Sequence, residues 1–380
     1  MLIIADAKIP DAEHAFGLFG DVRVVRTEDM TRETILSADA ILVRSETKVG
    51  AGLLDGTRVR FVGTATIGTD HVDLDYLRAH NIAFASCPGS NANSVAEYVL
   101  AALLELAAMR GFALRGKTLG IVGHGNTGSR TAKKAEAMGM HVLLNDPPLA
   151  RQTGDPRYVP LDALMDADVI SLHVPLTKSG EDATYHLFDE RRLMAMKRGS
   201  TLVNTSRGAV VETSALKRAI TSGHLQACVA DVWENEPAID VELLRLVTLG
   251  TPHIAGYSHD GKLNATRMLQ QALSEFLGIP LPFRQSSSSS GIALSLSVDG
   301  DDPEAVVRSA VRACYDIRRD DANLRKLIAL PPEERPAYFR RLRATYPMRH
   351  EFHNYVIDGR HLPAELGALL DKLGFRVEHD

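Results

Sequence analysis

The stretch LGIVGHGNTGSR at residues 119–130 constrains this chain more than any other. An apolar run that ends in G-x-G-x-x-G and passes into a polar, helix-compatible run is the strand, turn and helix of a dinucleotide-binding unit. In such a unit Gly123 permits the tight turn, Gly125 lets backbone approach a pyrophosphate, and Gly128 allows the helix to pack closely on the strand. Asn126 and Thr127 then stand at a helix N-terminus, whose free N–H groups suit anionic oxygen. Asp146 closes the next apolar run, 18 residues beyond Gly128. A carboxylate there accepts hydrogen bonds from an adenosine ribose diol and opposes a 2′-phosphate, so the spacing favours NAD over NADP. The alternative is that Asp146 merely opens the polar turn DPP.

More than a hundred residues precede this turn, and they have their own rhythm. LIIADA, VRVVR, AILVRS, RFVGTA and IAFASC read as buried strands and alternate with helix-compatible stretches such as DAEHAFGLF and DLDYLRAH. That is the pattern of a parallel sheet covered on both faces. A long helix follows at 94–110, with Ser94 and Glu97 at capping-box spacing. A second strand series runs KTLGIV, MHVLLN, VISLHV, STLVNT, QACVADV and VTLGTP, after which KLNATRMLQQALSEFLG keeps helical periodicity. The expected fold class is α/β: two doubly wound parallel-sheet lobes of Rossmann or flavodoxin type, the second inserted in the first, plus a small α+β C-terminal domain. The boundaries are 1–93 with 257–280 for the first lobe, 94–256 for the dinucleotide-binding domain, 281–290 for a Ser-rich linker, and 291–380 for the C-terminal domain. Within the last, IALSLSV and NYVID read as strands. The long run from Pro303 to Leu330, the stretch PEERPAYFRRLRATYP and PAELGALLDKLG read as helices. A cleft between the two lobes is the natural ligand site.

Composition narrows the partners. The 380 residues carry 43 Lys and Arg against 48 Asp and Glu, a formal charge of -5, with both signs interspersed. No global footprint for nucleic acid or for an anionic membrane follows from that. The N-terminal apolar stretch meets Asp6 and Lys8 without the features of a signal peptide, and a soluble, cytoplasmic protein is expected. Cys87, Cys228 and Cys314 are too scattered for a disulfide framework or a zinc site, so no metal is expected.

Three residues fall at strand ends of the second series, where ligands of open α/β sheets bind: Arg207 in NTSRGAVV, Glu236 in ADVWENEP and His253 in TPHIAG. Removing a hydride from a hydroxyl-bearing carbon requires the hydroxyl to lose its proton, and histidine is the usual base near neutral pH. Glu236 would orient that histidine, and Arg207 would clamp a carboxylate in bidentate fashion. Singly, each has a structural alternative: a satisfied core histidine, a solvated turn residue, a surface ion pair. Their common placement is the argument for function.

The order GHGNTG, Asp146, HVPLT, NTSRG, DVWENEP and TPHIAG resembles the D-2-hydroxyacid dehydrogenase family over roughly residues 1–280. The resemblance implies the inserted-lobe arrangement, NAD as cofactor, and Arg207, Glu236 and His253 as the catalytic set. It further implies Ser45, Thr66 and Tyr257 as substrate contacts, and adds Ser206, Asp231 and Gly256 to the cofactor site. The loops ILVRSETKV and TATIGTDHVD, the segment HIAGYSHDGK and the C-terminal YPMRHEF are similar to a branch of that family acting on a phosphorylated hydroxy acid. A small mixed domain on a flexible linker contributes little to a cleft built by the other two lobes, so the C-terminal domain is expected to join a homodimer. The phosphate would need further positive charge. Arg44 and Lys48 beside Ser45 are candidates, and so is the cluster Arg341, Arg343 and Arg349, at least one of which, with Arg349 named for the substrate site, is expected to reach the partner subunit's site. Other members of the family, including one acting on a phosphorylated acid one carbon shorter, and a non-enzymatic NAD-sensing scaffold remain open alternatives.

Overall fold

The computed structural model describes residues 1–282, 292–294, 302–360 and 362–378. The chain falls into two compact units, one holding Met1–Asn91 and the segment that begins at Ser258, the other holding Ala92–Tyr257 and the C-terminal segment.

In the first unit, β1 (Leu2–Asp6), β2 (Asp21–Val25), β3 (Ala40–Val43), β4 (Phe61–Thr64) and β5 (Ala83–Ala85) form one sheet in the order β2-β1-β3-β4-β5. All four pairings are parallel. This is the flavodoxin-type order, with its switch point between β1 and β3. Every residue of β3 and β4 is buried, which is why both read as continuous apolar runs. The helix His259–Leu277 returns to this unit, capped by Ser258 accepting from the Gly261 N–H. Its Ala265, Leu269 and Leu273 share a core with Ile3, Phe16 and Phe61.

In the second unit, β6 (Thr118–Val122), β7 (His141–Asn145), β8 (Val169–Leu172), β9 (Ser200–Asn204), β10 (Leu225–Ala230) and β11 (Leu249–Gly250) pair in the order β11-β10-β9-β8-β6-β7, again all parallel. The order reverses at β6, so the GHGNTG turn that follows it opens at the topological switch point, where such sheets bind ligands. The helix Ala92–Arg110 packs against this sheet. By length and composition it could cross a membrane, but 83% of its apolar window is buried inside the unit.

The C-terminal segment shares the core of the second unit. Val307, Ala310, Phe352 and Leu370 cluster with Leu103, Leu106 and Ile121. Small mixed segments bury a modest share of their surface by themselves, and here the apolar face lies on the same chain. A three-stranded parallel sheet orders β12 (Ile292–Leu294), β13 (Tyr355–Asp358) and β14 (Arg376–Glu378). Most of the Ser-rich linker and the second half of IALSLSV lie outside the described residues. The long helical run breaks into Pro303–Cys314 and Ile317–Arg325, because Asp316 caps the second by accepting from the Arg318 N–H.

The capping box expected at Ser94 and Glu97 does not form. The helix already begins at Ala92. Ser94 Oγ donates to Glu351 at 2.5 Å, while Glu97 Oε1 accepts from the Phe352 N–H and Asn93 Nδ2, both at 2.9 Å. Contact with the C-terminal segment has taken both side chains.

Candidate functional site

At the dinucleotide turn the three glycines have different reasons. Gly123 has φ of 87°, and a Cβ there would stand 2.8 Å from the His173 carbonyl oxygen. A Cβ on Gly128 would stand 2.0 Å from the Gly123 oxygen, so turn and helix touch through backbone. A Cβ on Gly125 would meet nothing within 4 Å. The space beside Gly125 is open, so backbone there is accessible. The helix Asn126–Ala137 starts there without a side-chain cap, which leaves its first N–H groups to an anion.

Asp146 lies at the end of β7 and does two jobs. Oδ2 accepts from the His124 N–H at 2.8 Å, and Oδ1 accepts from Leu149 N–H at 3.0 Å, capping the helix Pro147–Thr153. It opens the turn DPP and also braces the glycine loop. These residues fit NAD: an open backbone approach, uncapped helix donors and a carboxylate at the next strand end. His173, just past β8, was not singled out in the sequence. Burial presses its pKa down to about 3, and its ring lies between the hydroxyls of Ser171 at 2.9 Å and Thr205 at 3.4 Å. It is a neutral hydrogen-bonding wall of the turn.

Glu236 and His253 come together, with Nδ1 of the histidine 2.8 Å from Oε1 of the glutamate. Burial pushes the Glu236 carboxyl up, but the charges of His253, Arg343 and Arg207 and the His253 hydrogen bond outweigh it, and the group stays ionised below its ordinary range. His253 has φ of 57°, an unusual conformation for a non-glycine residue. Asp231 holds it there. The Asp231 carbonyl accepts from the His253 N–H at 2.7 Å, and its carboxylate accepts from Thr251 Oγ1, Ile254 N–H and Ala255 N–H at 2.6, 2.8 and 3.0 Å. At 1% exposure, Asp231 braces this loop from within.

Arg207 follows β9, with Nη1 donating to the Ser206 carbonyl at 2.8 Å. Gly208 lets the loop press onto the next one, since a Cβ there would stand 1.9 Å from the Trp233 carbonyl carbon. Ser206 is buried, its N–H and Oγ both donating to Asn204 Oδ1. Gly256 and Tyr257 continue the loop from His253, and the Tyr257 ring packs edge-on against Tyr346 at 6.0 Å.

The structure separates the three C-terminal arginines. Arg341 is exposed and lies 4.9 Å from the Tyr338 ring centroid. Arg343 lies 5.4 Å from the centroid of Tyr257. Arg349 is 5% exposed, stacks on Tyr315 at 4.5 Å, and donates through Nη2 to the carbonyls of Ala255 at 2.6 Å and Ser94 at 3.2 Å. Of the three, Arg349 is the one withdrawn from any partner's site: its guanidinium is enclosed by its own chain, where buried carbonyls need a donor.

The remaining candidates belong to the first unit, past the C-terminal ends of its strands. Arg44 and Ser45 follow β3, with Arg44 Nη1 donating to the Ala65 carbonyl at 3.2 Å. Ser45 and Lys48 are exposed. Thr66 follows β4 and bonds Gly68 O at 2.9 Å and Thr64 Oγ1 at 2.7 Å. Two further cations, Lys8 and Lys262, gather here: burial, then the charges of Arg44 and Lys8, press the Lys262 ammonium pKa down. Among the described residues no group of three or more His, Cys, Asp or Glu side chains is placed to hold a metal.

A family model described as the NAD-binding domain of D-isomer specific 2-hydroxyacid dehydrogenases matches residues 90–255, and a domain of unknown function matches residues 290–374. The solved structure of NAD⁺-bound 3-phosphoglycerate dehydrogenase from Entamoeba histolytica is similar over 73% of this chain and 95% of its own, with a TM-score of 0.62 and 25% identity. Fold and turn together define an NAD-binding dehydrogenase of the D-isomer specific 2-hydroxyacid class. The erythronate-4-phosphate dehydrogenase of Salinibacter ruber is 50% identical over 374 residues, 96% of this chain and 95% of its own. That of Pseudomonas fluorescens Pf0-1 is 43% identical over 380 residues, 97% and 100% of the two chains. The chain belongs to the family of erythronate-4-phosphate dehydrogenases.

Proposed function

We propose that this chain oxidises 4-phospho-D-erythronate to (R)-3-hydroxy-2-oxo-4-phosphooxybutanoate in the synthesis of pyridoxine 5′-phosphate. The observation that carries the chemistry is the 2.8 Å contact between His253 Nδ1 and Glu236 Oε1. With Nδ1 engaged and Glu236 ionised, Nε2 is the ring nitrogen free to take the proton of the substrate hydroxyl. Arg207 holds the substrate carboxylate, and Ser45, Thr66 and Tyr257 add contacts. Gly123, Gly125, Asn126, Thr127, Gly128, Asp146, Ser206, Asp231 and Gly256 would hold NAD, which when bound supplies the acceptor for the hydride. The oxyanion left by proton loss collapses to the keto group as the hydride departs. The test is NADH formation from NAD and 4-phosphoerythronate by the purified chain, with 3-phosphoglycerate in parallel. Faster turnover of the shorter acid would replace the proposed substrate.

The same reading includes a cytoplasmic homodimer joined through the C-terminal segment. Met348 there is 72% exposed and Ile292 on β12 is 41% exposed, apolar surface that a second copy could cover. Sedimentation equilibrium of the full chain tests the dimer, and a monomer at micromolar concentration would overturn it. Deleting the segment is a poor test, because it would uncover the helix Ala92–Arg110.

A further inference from the structure

Arg343 sits near the end of the helix Arg335–Ala344, three residues before YPMRHEF begins. Residues two apart on a helix point about 200° apart, so Arg341 and Arg343 face opposite ways: one onto Tyr338, the other onto Tyr257. Arg343 Nε is buried and has no hydrogen-bond partner among the described residues. A buried donor on a charged group is ordinarily satisfied, and a cation held over a ring keeps its in-plane N–H groups available to an anion. The ring is that of Tyr257, four residues beyond His253.

We infer that Arg343 binds the phosphate of the substrate, so that the C-terminal segment supplies a specificity-determining residue to the site of its own chain. This rests on the function proposed above. Arg207 is committed to the carboxylate end, and the opposite end of a phosphorylated hydroxy acid carries the greater charge. A guanidinium fork suits phosphate oxygens and keeps its charge at every working pH. The closeness of Arg343 to the site has a second sign: its charge is one of those that keep Glu236 ionised. The segment then does more than complete a core, since a core alone needs no arginine turned toward Tyr257.

The experiment compares kcat/KM for 4-phosphoerythronate and for unphosphorylated erythronate in wild type, Arg343→Met, Arg343→Lys and Arg341→Met, with thermal unfolding to show that each folds. Losing a charge-assisted hydrogen bond to phosphate should lower the preference for the phosphorylated acid about 10- to 100-fold in Arg343→Met. Arg343→Lys should recover part of it, and Arg341→Met should keep it. A preference within about twofold of wild type in Arg343→Met overturns the inference, as does a preference lost instead in Lys262→Met, which would move the phosphate to the cations of the first unit. Wild type that fails to oxidise either acid would overturn the proposed function. The arginine is then tested by titrating NAD-saturated wild type and Arg343→Met with inorganic phosphate, where equal affinity, or no binding to wild type, sinks it.

Discussion

Arg349 donates to the carbonyl of Ala255 at 2.6 Å, two residues beyond His253. The same nitrogen donates to Ser94 O, so one buried guanidinium fastens the C-terminal segment to the loop that carries the histidine.

Arg349→Met keeps much of the stem but removes the donors and the charge. Buried carbonyls left unpaired, together with the lost charged hydrogen bonds, should cost about 2–4 kcal/mol. Denaturant unfolding measures this. Because Ala255 neighbours Gly256 and Tyr257, the KM for NAD or substrate should also rise. A variant as stable as wild type would show that the enclosure of Arg349 contributes nothing.

Asp146 should set cofactor choice. Its carboxylate accepts from His124 N–H and caps a helix, so two substitutions separate two roles. Ser retains a capping oxygen and Ala does not, a difference of about 1 kcal/mol in stability. Both remove the charge that opposes a 2′-phosphate, so both should narrow the NAD over NADP ratio of kcat/KM. An unmoved ratio would leave Asp146 a structural residue only.

Much of this was readable from residue order, for a physical reason. Strands buried on both faces, such as β3, β4, β8 and β9, write themselves as apolar runs, and the part-exposed β2, β5 and β7 keep enough apolar residues for all eleven strands of the two large sheets to appear as LIIADA through VTLGTP. The glycine spacing then fixed where the second sheet turns to a ligand. What could not be read was decided by contacts between distant segments. The pairing of Glu236 with His253 was legible, but DVWENEP also offers Glu234, and only the folded loops show that carboxylate 2.8 Å from His186. Ser94 and Glu97 have capping-box spacing, yet residues 351 and 352 claim them. The basic cluster of the C-terminal segment gave no hint of direction, because helical phase and burial, not composition, send Arg343 and Arg349 to different places. The short β14 carried too few residues to register as a strand.

Glu97 predicts a pH signature of stability. Burial, the largest influence, pushes its carboxyl up to about 8 despite the opposing charge of Lys134. A group whose folded pKa is raised contributes its stability below the unfolded value, near 4.5, and loses it as pH rises toward about 8. Glu97→Gln keeps the oxygen that accepts from Phe352 N–H and Asn93 and cannot ionise. The Tm of the variant relative to wild type should therefore climb between about pH 5 and pH 8 and then level off. A constant difference across that window would mean that Glu97 titrates normally.

The histidine and glutamate should behave as one proton-transfer unit. Nδ1 of His253 faces Oε1 of Glu236, and the backbone of His253 is pinned by Asp231, so the carboxylate selects which nitrogen meets the substrate. His253→Ala should lower kcat about 10²- to 10⁴-fold, the range of general acid–base catalysis. Glu236→Gln alone should cost less, because the amide oxygen still accepts from Nδ1–H while the negative charge is gone. Once the imidazole is absent, the glutamate has nothing left to orient, and the double variant should be hardly slower than His253→Ala. Folding is the competing explanation for any loss, and thermal unfolding of all three variants separates it. If the two losses multiply instead, the residues act on the substrate independently and the 2.8 Å contact is a structural pairing beside the chemistry.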